Sequence, residues 1–377
     1  MHILNKKESK LLLNWIYIFI ENINSKSIIH FSYILIFIIL FIPSNNILAQ
    51  KGGSSGSNST GTNVGTTAAA FLEIGVGPRA QAMGGAFTAI TQDATSMYWN
   101  SAGIGKIKGL ETTFSHIDWI LDTNFDYFGI ATSINETFSV GANITIFSVG
   151  EQPVRTVELV NGTGEFYTAQ DLAIGVSFAL NLTDRFTFGI NSKFINQRIW
   201  NSSTSGFAID VGGLYLTQFK GLQLGFNISN FGTDMQISGR DLLNVVDPDV
   251  INDGVDNIPV NYETGTFTLP LLFRFGIAYE MILNSISSEI IFAVDLLKPN
   301  NDKESVNVGM EYLILNTIAL RAGYRGLFLD ETTGGASFGL GLILSPSQSK
   351  FEVIVDYAYV DLGLLNSVHN FGLNLRF

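Results

Sequence analysis

The chain has 377 residues, 21 basic against 33 acidic side chains, no cysteine, only 14% charged residues and a mean hydropathy of +0.27. The missing thiols exclude disulfide scaffolds, cysteine-ligated zinc, iron–sulfur clusters and thiol nucleophiles. The low charge excludes a disordered chain, and a net charge of −12 without a basic cluster excludes nucleic-acid binding.

Residues 1–49 have the layout of a signal peptide. Lys6, Lys7 and Lys10 supply a basic start, and Ile28 to Ile42 form a 15-residue apolar core broken only by His30 and Ser32. Pro43, Ser44, Asn45 and Asn46 then lead to a cleavage point after Ala49. The core is shorter than the roughly 20 residues a spanning helix needs. An uncleaved N-terminal anchor is the other reading, because a second apolar run, Leu11 to Ile20, lengthens the basic region. Cleavage removes four Lys and two Glu and leaves 17 basic against 31 acidic groups, a charge of −14. Residues 50–65, which include KGGSSGSNSTGTNVG, are expected to be a flexible polar tether.

Residues 66–109 lack any two-residue alternation and are rich in Ala and Gly, with Phe71, Phe87, Tyr98 and Trp99 as anchors. Asp93 is placed to cap the short turn ATSMYW. Gly84 and Gly85 permit close backbone approach. Small residues suit a hatch or plug threaded through a confined lumen.

From residue 110 onward the dominant period is two. Phe371, Leu373, Leu375 and Phe377 alternate with Asn370, Gly372, Asn374 and Arg376, and Leu271, Phe273, Phe275 and Ile277 alternate with Leu272, Arg274, Gly276 and Ala278. Successive strand side chains point to opposite faces, so each segment has one apolar, often aromatic face and one face of small, polar or charged groups. Fourteen such segments are expected, near 110–117, 125–134, 137–149, 170–180, 185–197, 206–216, 222–229, 271–280, 288–295, 305–312, 318–324, 336–344, 350–360 and 369–377. The first two carry the least regular alternation. Connections alternate long (150–169, 198–205, 230–270) and short (135–136, 181–184, 217–221). Aromatic outer faces, Gly- and Asn-rich inner faces and alternating loop lengths together predict an all-β, transmembrane antiparallel β-barrel of about 14 strands over residues 110–377, with a hydrophilic interior and an N-terminal hatch in its lumen. The final Phe377, on an amphipathic strand, fits an outer-membrane assembly signal.

Strand parity puts Arg274, Glu280, Glu289, Asp295, Glu311, Arg321, Asp356 and Arg376 on the inner face, since each would cost a few kcal/mol against hydrocarbon. Arg274, Glu311, Arg321 and Asp356 are the candidate lumen charge network, and Gly84, Gly85, Asp93 and Asn100 the candidate hatch residues. Tyr279, Tyr312, Tyr324 and Tyr359 lie near strand ends, where aromatic girdles belong. The stretch 230–270 is too long for a passive connector, and its apolar residues Leu242, Leu243, Val245 and Val246 make it, with 150–169, the candidate partner-binding surface.

Chemistry is scarce. After cleavage only His116 and His369 remain, which builds neither a zinc site nor a His-based triad. The Gly75–Gly77 pair runs into Pro78 and Arg79 rather than a strand-to-helix turn, so it is no dinucleotide fingerprint. The acidic run Asp247, Asp249, Asp253 and Asp256 fails the EF-hand pattern, with Ile251 and Val260 at positions three and twelve. A solvated loop is the plain reading and loose calcium binding the alternative. No catalytic residue, cofactor or metal site is expected.

Several stretches resemble the PorV/PorQ family, a branch of the FadL-like outer-membrane barrels. The resemblance is carried by Gly-Pro-Arg-Ala (77–80), Met-Gly-Gly-Ala (83–86), Asp93-Ala94, Tyr98-Trp99-Asn100 and Ala102-Gly103, then by GLQLGFNISNFGT at 221–233, LPLLFRFGIAY at 269–279, VNVGMEY at 306–312, ALRAGYR at 319–325 and VDYAY at 355–359. Family members have Asn-Pro-Ala where this chain has Asn100-Ser101-Ala102. The resemblance implies a non-enzymatic barrel in a bacterial outer membrane, contacting its lipid and binding cargo proteins or a surface partner in type IX secretion. A FadL-like channel for long-chain fatty acids or another hydrophobic small molecule is the alternative it implies.

Overall fold

The alternating segments fold as expected into fourteen antiparallel strands, seen in a computed structural model that describes residues 65–247, 257–329, 334–345 and 351–377. The segment expected to be a signal peptide, the expected tether up to residue 64, and Asp249, Asp253 and Asp256 of the acidic run lie outside the described residues. The strands are β1 (Leu110–Asp118), β2 (Thr123–Ser133), β3 (Phe138–Pro153), β4 (Phe166–Asn181), β5 (Phe186–Ile199), β6 (Ser202–Leu216), β7 (Leu222–Gly232), β8 (Leu272–Leu283), β9 (Ser288–Pro299), β10 (Ser305–Ile314), β11 (Ile318–Leu327), β12 (Ala336–Leu344), β13 (Glu352–Asp361) and β14 (Ser367–Arg376). Among the described residues, those of 65–282 and 286–377 belong to one compact unit.

Each strand pairs with its sequence neighbours, and β14 returns to β1 in a register that sets Glu111 opposite Arg376 and Asp118 opposite His369. The sheet is therefore closed, as hydrocarbon requires: every strand finds hydrogen-bond partners on both sides without an edge. An even strand number puts the start of β1 and the end of β14 at one mouth, here the terminal mouth, and the β7–β8 connection at the opposite loop mouth.

The alternation sorts the faces. On β12, Phe338, Leu340 and Leu342 are exposed on the outer wall while Ser337 points inward and is buried. Arg274, Asp295, Glu311, Arg321 and Asp356 are buried inside, as parity requires. Tyr324 and Tyr359 are exposed near the loop-mouth ends of their strands.

Two connections differ from expectation. β5 and β6 meet across Trp200 and Asn201 alone, with Ile199 paired to Ser202 and Trp200 at φ 52°, so the long connection expected at 198–205 is a tight turn. β3 and β4 likewise extend to Pro153 and from Phe166, which shortens the loop expected at 150–169. Apart from Phe166, Tyr167, Ala169 and Ile199, the added residues are small, polar or charged, among them Glu151, Gln152, Arg198 and residues 202–205. Past the apolar belt neither face needs grease, so the alternation fades although the ladder continues.

Residues from Ala69 to Ile107 are largely buried inside the ring. Their first part lies at the loop mouth, where Ala68 N donates to Thr268 O at 2.9 Å. Their last part lies at the terminal mouth, where Asn181 Nδ2 donates to Gly105 O at 3.0 Å. The hatch thus traverses the lumen.

A uniformly hydrophilic interior does not describe what it meets. Toward the loop mouth, Phe71, Leu72, Ile74 and Val76 pack against inward Ile117, Phe125, Tyr127, Ile195 and Leu362 in one apolar cluster. Phe125 and Tyr127 face inward while the neighbouring Phe128 and Ile130 face outward. With aromatic or aliphatic residues on both faces of β2, alternation cannot name the inner one.

Candidate functional site

The hatch is held in the middle of the barrel by charge. Arg79 follows Pro78 in a one-turn helix (Pro78–Ala82), and its Nε and Nη2 donate to Glu311 Oε2 and Oε1 at 2.9 and 2.7 Å. Arg321 Nε reaches the same Glu311 Oε2 at 2.5 Å, and Arg321 Nη1 donates to Asp356 Oδ1 at 2.6 Å. Asn374 Nδ2 extends the chain to Asp356 Oδ2 at 3.3 Å. Two guanidinia and two carboxylates alternate, so the charges cancel within the cluster. Burial works against the Arg79 charge, but Glu311 and then Asp93, whose Oδ2 is 3.8 Å away, outweigh it and leave the Arg79 pKa raised.

Of the four residues expected to form a lumen network, the structure brings Glu311, Arg321 and Asp356 together. Arg274 is not part of it: it stands over the rings of Tyr98 and Trp99, at 5.3 and 5.2 Å from their centres. The fourth member is Arg79, which strand parity could not reveal because it lies in the hatch. Asp295 acts in the same way on its own, accepting from Phe87 N at 3.0 Å, Thr88 N at 2.9 Å and Thr88 Oγ1 at 2.6 Å.

The expected hatch residues have structural partners. Gly84 and Gly85 adopt φ of +65° and +77°, and a Cβ on Gly84 would come within 2.6 Å of the Tyr324 nitrogen. Asp93 Oδ1 accepts from Thr95 N at 2.9 Å and from the Thr95 hydroxyl, closing the turn ahead of the helix Ser96–Trp99. Asn100 Nδ2 donates to Thr88 O at 2.9 Å and Gly213 O at 3.1 Å, and its Oδ1 accepts from Ala102 N at 3.2 Å.

Inner-face glycines let the hatch backbone reach the wall. Added Cβ atoms on Gly189, Gly225, Gly276, Gly309, Gly323 and Gly372 would each strike hatch atoms, from Pro78 through Met83, Gly84, Thr88 and Ala89 to Ala102. These positions lie on six strands and form a glycine belt around the hatch.

The β7–β8 connection is anchored at its base on β6. Asp241 accepts from Asn201 N at 2.9 Å and Asn201 Nδ2 at 3.0 Å, and Ser238 and Gly239 pair with Ser203 and Ser202 of β6. Beyond this anchor, Leu243–Val246 and Ile258–Asn261 pair as an antiparallel ladder. Leu243, Val245, Val246 and Ile258 are exposed there, and Leu242 is half-buried.

Two cavities flank the wall near the loop mouth. One, of about 460 Å³, lies inside against the hatch and is bordered by Tyr98, Trp99, Arg274 and Arg325. The other, of about 560 Å³, is an apolar groove on the outer wall bordered by Phe226, Phe273, Phe275 and Leu296. Arg274, Leu297 and Ser305 border both. Among the described residues no group of three or more His, Asp or Glu is arranged to hold a metal ion.

A family model of the type IX secretion system protein PorV matches residues 57–299. No curated protein matches the chain. Solved structures similar to it include the CymD monoaromatic hydrocarbon channel, with 14% identity, 80% of this chain and 96% of that one covered and a TM-score of 0.51. The toluene transporter TodX of Pseudomonas putida gives 12% identity, 80% and 97% coverage and a TM-score of 0.51. At these identities the likeness is one of fold.

Proposed function

The chain belongs to the PorV family of type IX secretion system proteins, which places it in the outer membrane, and from that premise we propose that it works there without catalysis, as a docking platform for cargo proteins or a surface partner. The observation that carries this reading is the β7–β8 hairpin. A wall residue that is apolar and exposed meets lipid, but Leu243, Val245, Val246 and Ile258 are exposed on a ladder separate from the barrel sheet. Apolar side chains presented on an anchored hairpin are what a protein contact would cover. The lumen is occupied meanwhile by a hatch held through buried ion pairs, which suits a platform better than a conduit.

Deleting residues 236–262 is expected to leave a barrel that still runs as a folded, heat-modifiable species on gels, while capture of translocon components or secreted cargo from solubilised outer membranes is lost. The milder pair Leu243→Asp and Val245→Asp should weaken capture on the order of tenfold. Undiminished capture by both variants would end the proposal.

A second reading, passage of a hydrophobic small molecule, is favoured by the apolar outer groove that shares Arg274, Leu297 and Ser305 with the inner cavity. It expects saturable uptake of a labelled long-chain fatty acid that disappears when Gly84 and Gly85 are both replaced by Val. Uptake that never saturates, or is untouched by that change, removes this reading and leaves the first.

A further inference from the structure

The inner cavity at the loop mouth is bordered by two arginines that make no ion pair among the described residues. Arg274 is only 6% exposed, yet its Nε has no hydrogen-bond partner, and the bond from its Nη1 to Ser229 Oγ is stretched to 3.5 Å. Its close neighbours are the faces of Tyr98 and Trp99. Arg325 borders the same cavity and donates through Nη2 to Gln81 Oε1. Among the described residues neither arginine is in an ion pair, although every other arginine whose side chain is buried in the lumen network has one. Glu73 and Asp295 act on Arg274 only from beyond ion-pair distance, and a buried guanidinium without a directly bonded anion is costly, which points to a partner supplied from outside.

The remaining walls narrow the chemistry. Glu73 and Asp302 also border the cavity, the first accepting from Asn301 Nδ2 at 2.9 Å and the second from Lys303 N at 2.7 Å. Two carboxylates at the border oppose a multiply charged anion such as phosphate and tolerate a monoanion. Aromatic rings beside Arg274 suit an apolar stem. Asn301 supplies a further clue: its Nδ2 is committed to Glu73 and Thr67, while its buried Oδ1 lacks any donor. That oxygen is free to accept an N–H from a ligand.

We infer that this cavity binds a carboxylate on a short apolar stem, with Arg274 and Arg325 taking the carboxylate oxygens, Tyr98 and Trp99 flanking the stem and Asn301 accepting an N–H. The C-terminus of a peptide carries all of these features, whereas a free aliphatic acid carries all but the N–H. In its peptide form the inference rests on the docking function, because the cavity opens at the mouth where a partner would arrive.

The test uses the full chain purified in detergent and calorimetric titration with three probes: acetyl-Ala-Leu-Leu with a free C-terminus, its C-terminal amide, and isocaproate. The free-acid peptide should bind at least about tenfold more tightly than the amide, the loss expected when a charge-assisted bidentate contact is removed. Arg274→Gln should abolish this difference, and Arg325→Gln, at a half-buried position where misfolding is a smaller risk, should shrink it several-fold. Asn301→Ala should weaken the peptide and leave isocaproate unchanged. If isocaproate binds as tightly as the peptide, the carboxylate site stands and a free acid is its source. Equal binding of acid and amide, or no binding of any probe up to about 5 mM, overturns the site. Partner capture by the same preparation separates the two ideas: intact capture without carboxylate binding sinks the cavity and spares the docking hairpin.

Discussion

Glu311→Gln is expected to destabilise the barrel with its seated hatch by about 3–5 kcal/mol, the usual penalty for removing one partner from a buried ion pair. The carboxylate of Glu311 is shared by Arg79 and Arg321, at 2.7 and 2.5 Å. Its loss leaves two buried guanidinia facing one another, with Asp356 on Arg321 and the more distant Asp93 on Arg79 as their counter-charges. Arg79→Gln should cost less, since Arg321, Glu311 and Asp356 can stay paired and Arg79 is the most solvent-exposed member, at 20% of its side chain. The sharper expectation concerns the double variant. Arg79→Gln with Glu311→Gln restores neutrality around Arg321 and Asp356, so it should be more stable than Glu311→Gln alone. Urea unfolding in lipid vesicles, followed by tryptophan fluorescence and by protease attack on the hatch, measures all three. A Glu311→Gln protein within about 1 kcal/mol of the parent would show that the pairs contribute little beyond replacing water.

The second large effect is expected from Gly323→Val. Valine is favoured over glycine in a strand, so local propensity alone predicts a small gain in stability. The Cβ at this position would instead fall on the Gly84 nitrogen and the Met83 carbonyl carbon. Both are backbone atoms of the hatch and cannot swing aside as a flexible side chain would. The expected result is a loss toward the upper end of the about 1–3 kcal/mol typical of overpacking, with the hatch unseated and open to trypsin at Arg79. Gly150→Val is the control, because its Cβ would meet nothing within 4 Å. If Gly323→Val instead stabilises the barrel and leaves the hatch protected, the hatch is not pressed against that wall.

Much of this architecture could be read from residue order, and the exceptions share causes. Where one strand face is apolar and the other polar, as on β12 and β14, the segment, its inner face and its charges all follow from the alternation. On β2 the alternation is masked because Phe125 and Tyr127 face the apolar half of the lumen while Phe128 and Ile130 face lipid. In the extended ends of β3 to β6 it vanishes because apolar residues such as Phe166 and Ile199 stand among polar ones and no longer sort by face. Hatch residues have no period to follow, so Gly84, Gly85, Asp93 and Asn100 were recognisable by type, but the partnership of Arg79 with Glu311, 232 positions away, was not. Parity puts Arg274 on the correct face but cannot name its neighbours, for the same reason: Tyr98 and Trp99 come from the aperiodic segment.

The traverse of the hatch from one mouth to the other bears on how the molecule is made. A backbone gripped by glycines on six strands and by Glu311 and Asp295 at mid-depth cannot be slid into a finished cylinder without first breaking those grips. The strands must therefore curl around it as around a mandrel, each docking on the segment synthesised before them all. The junction of Leu110 with Phe377, the backbone pairing of greatest sequence separation among the described residues, is left to zip last.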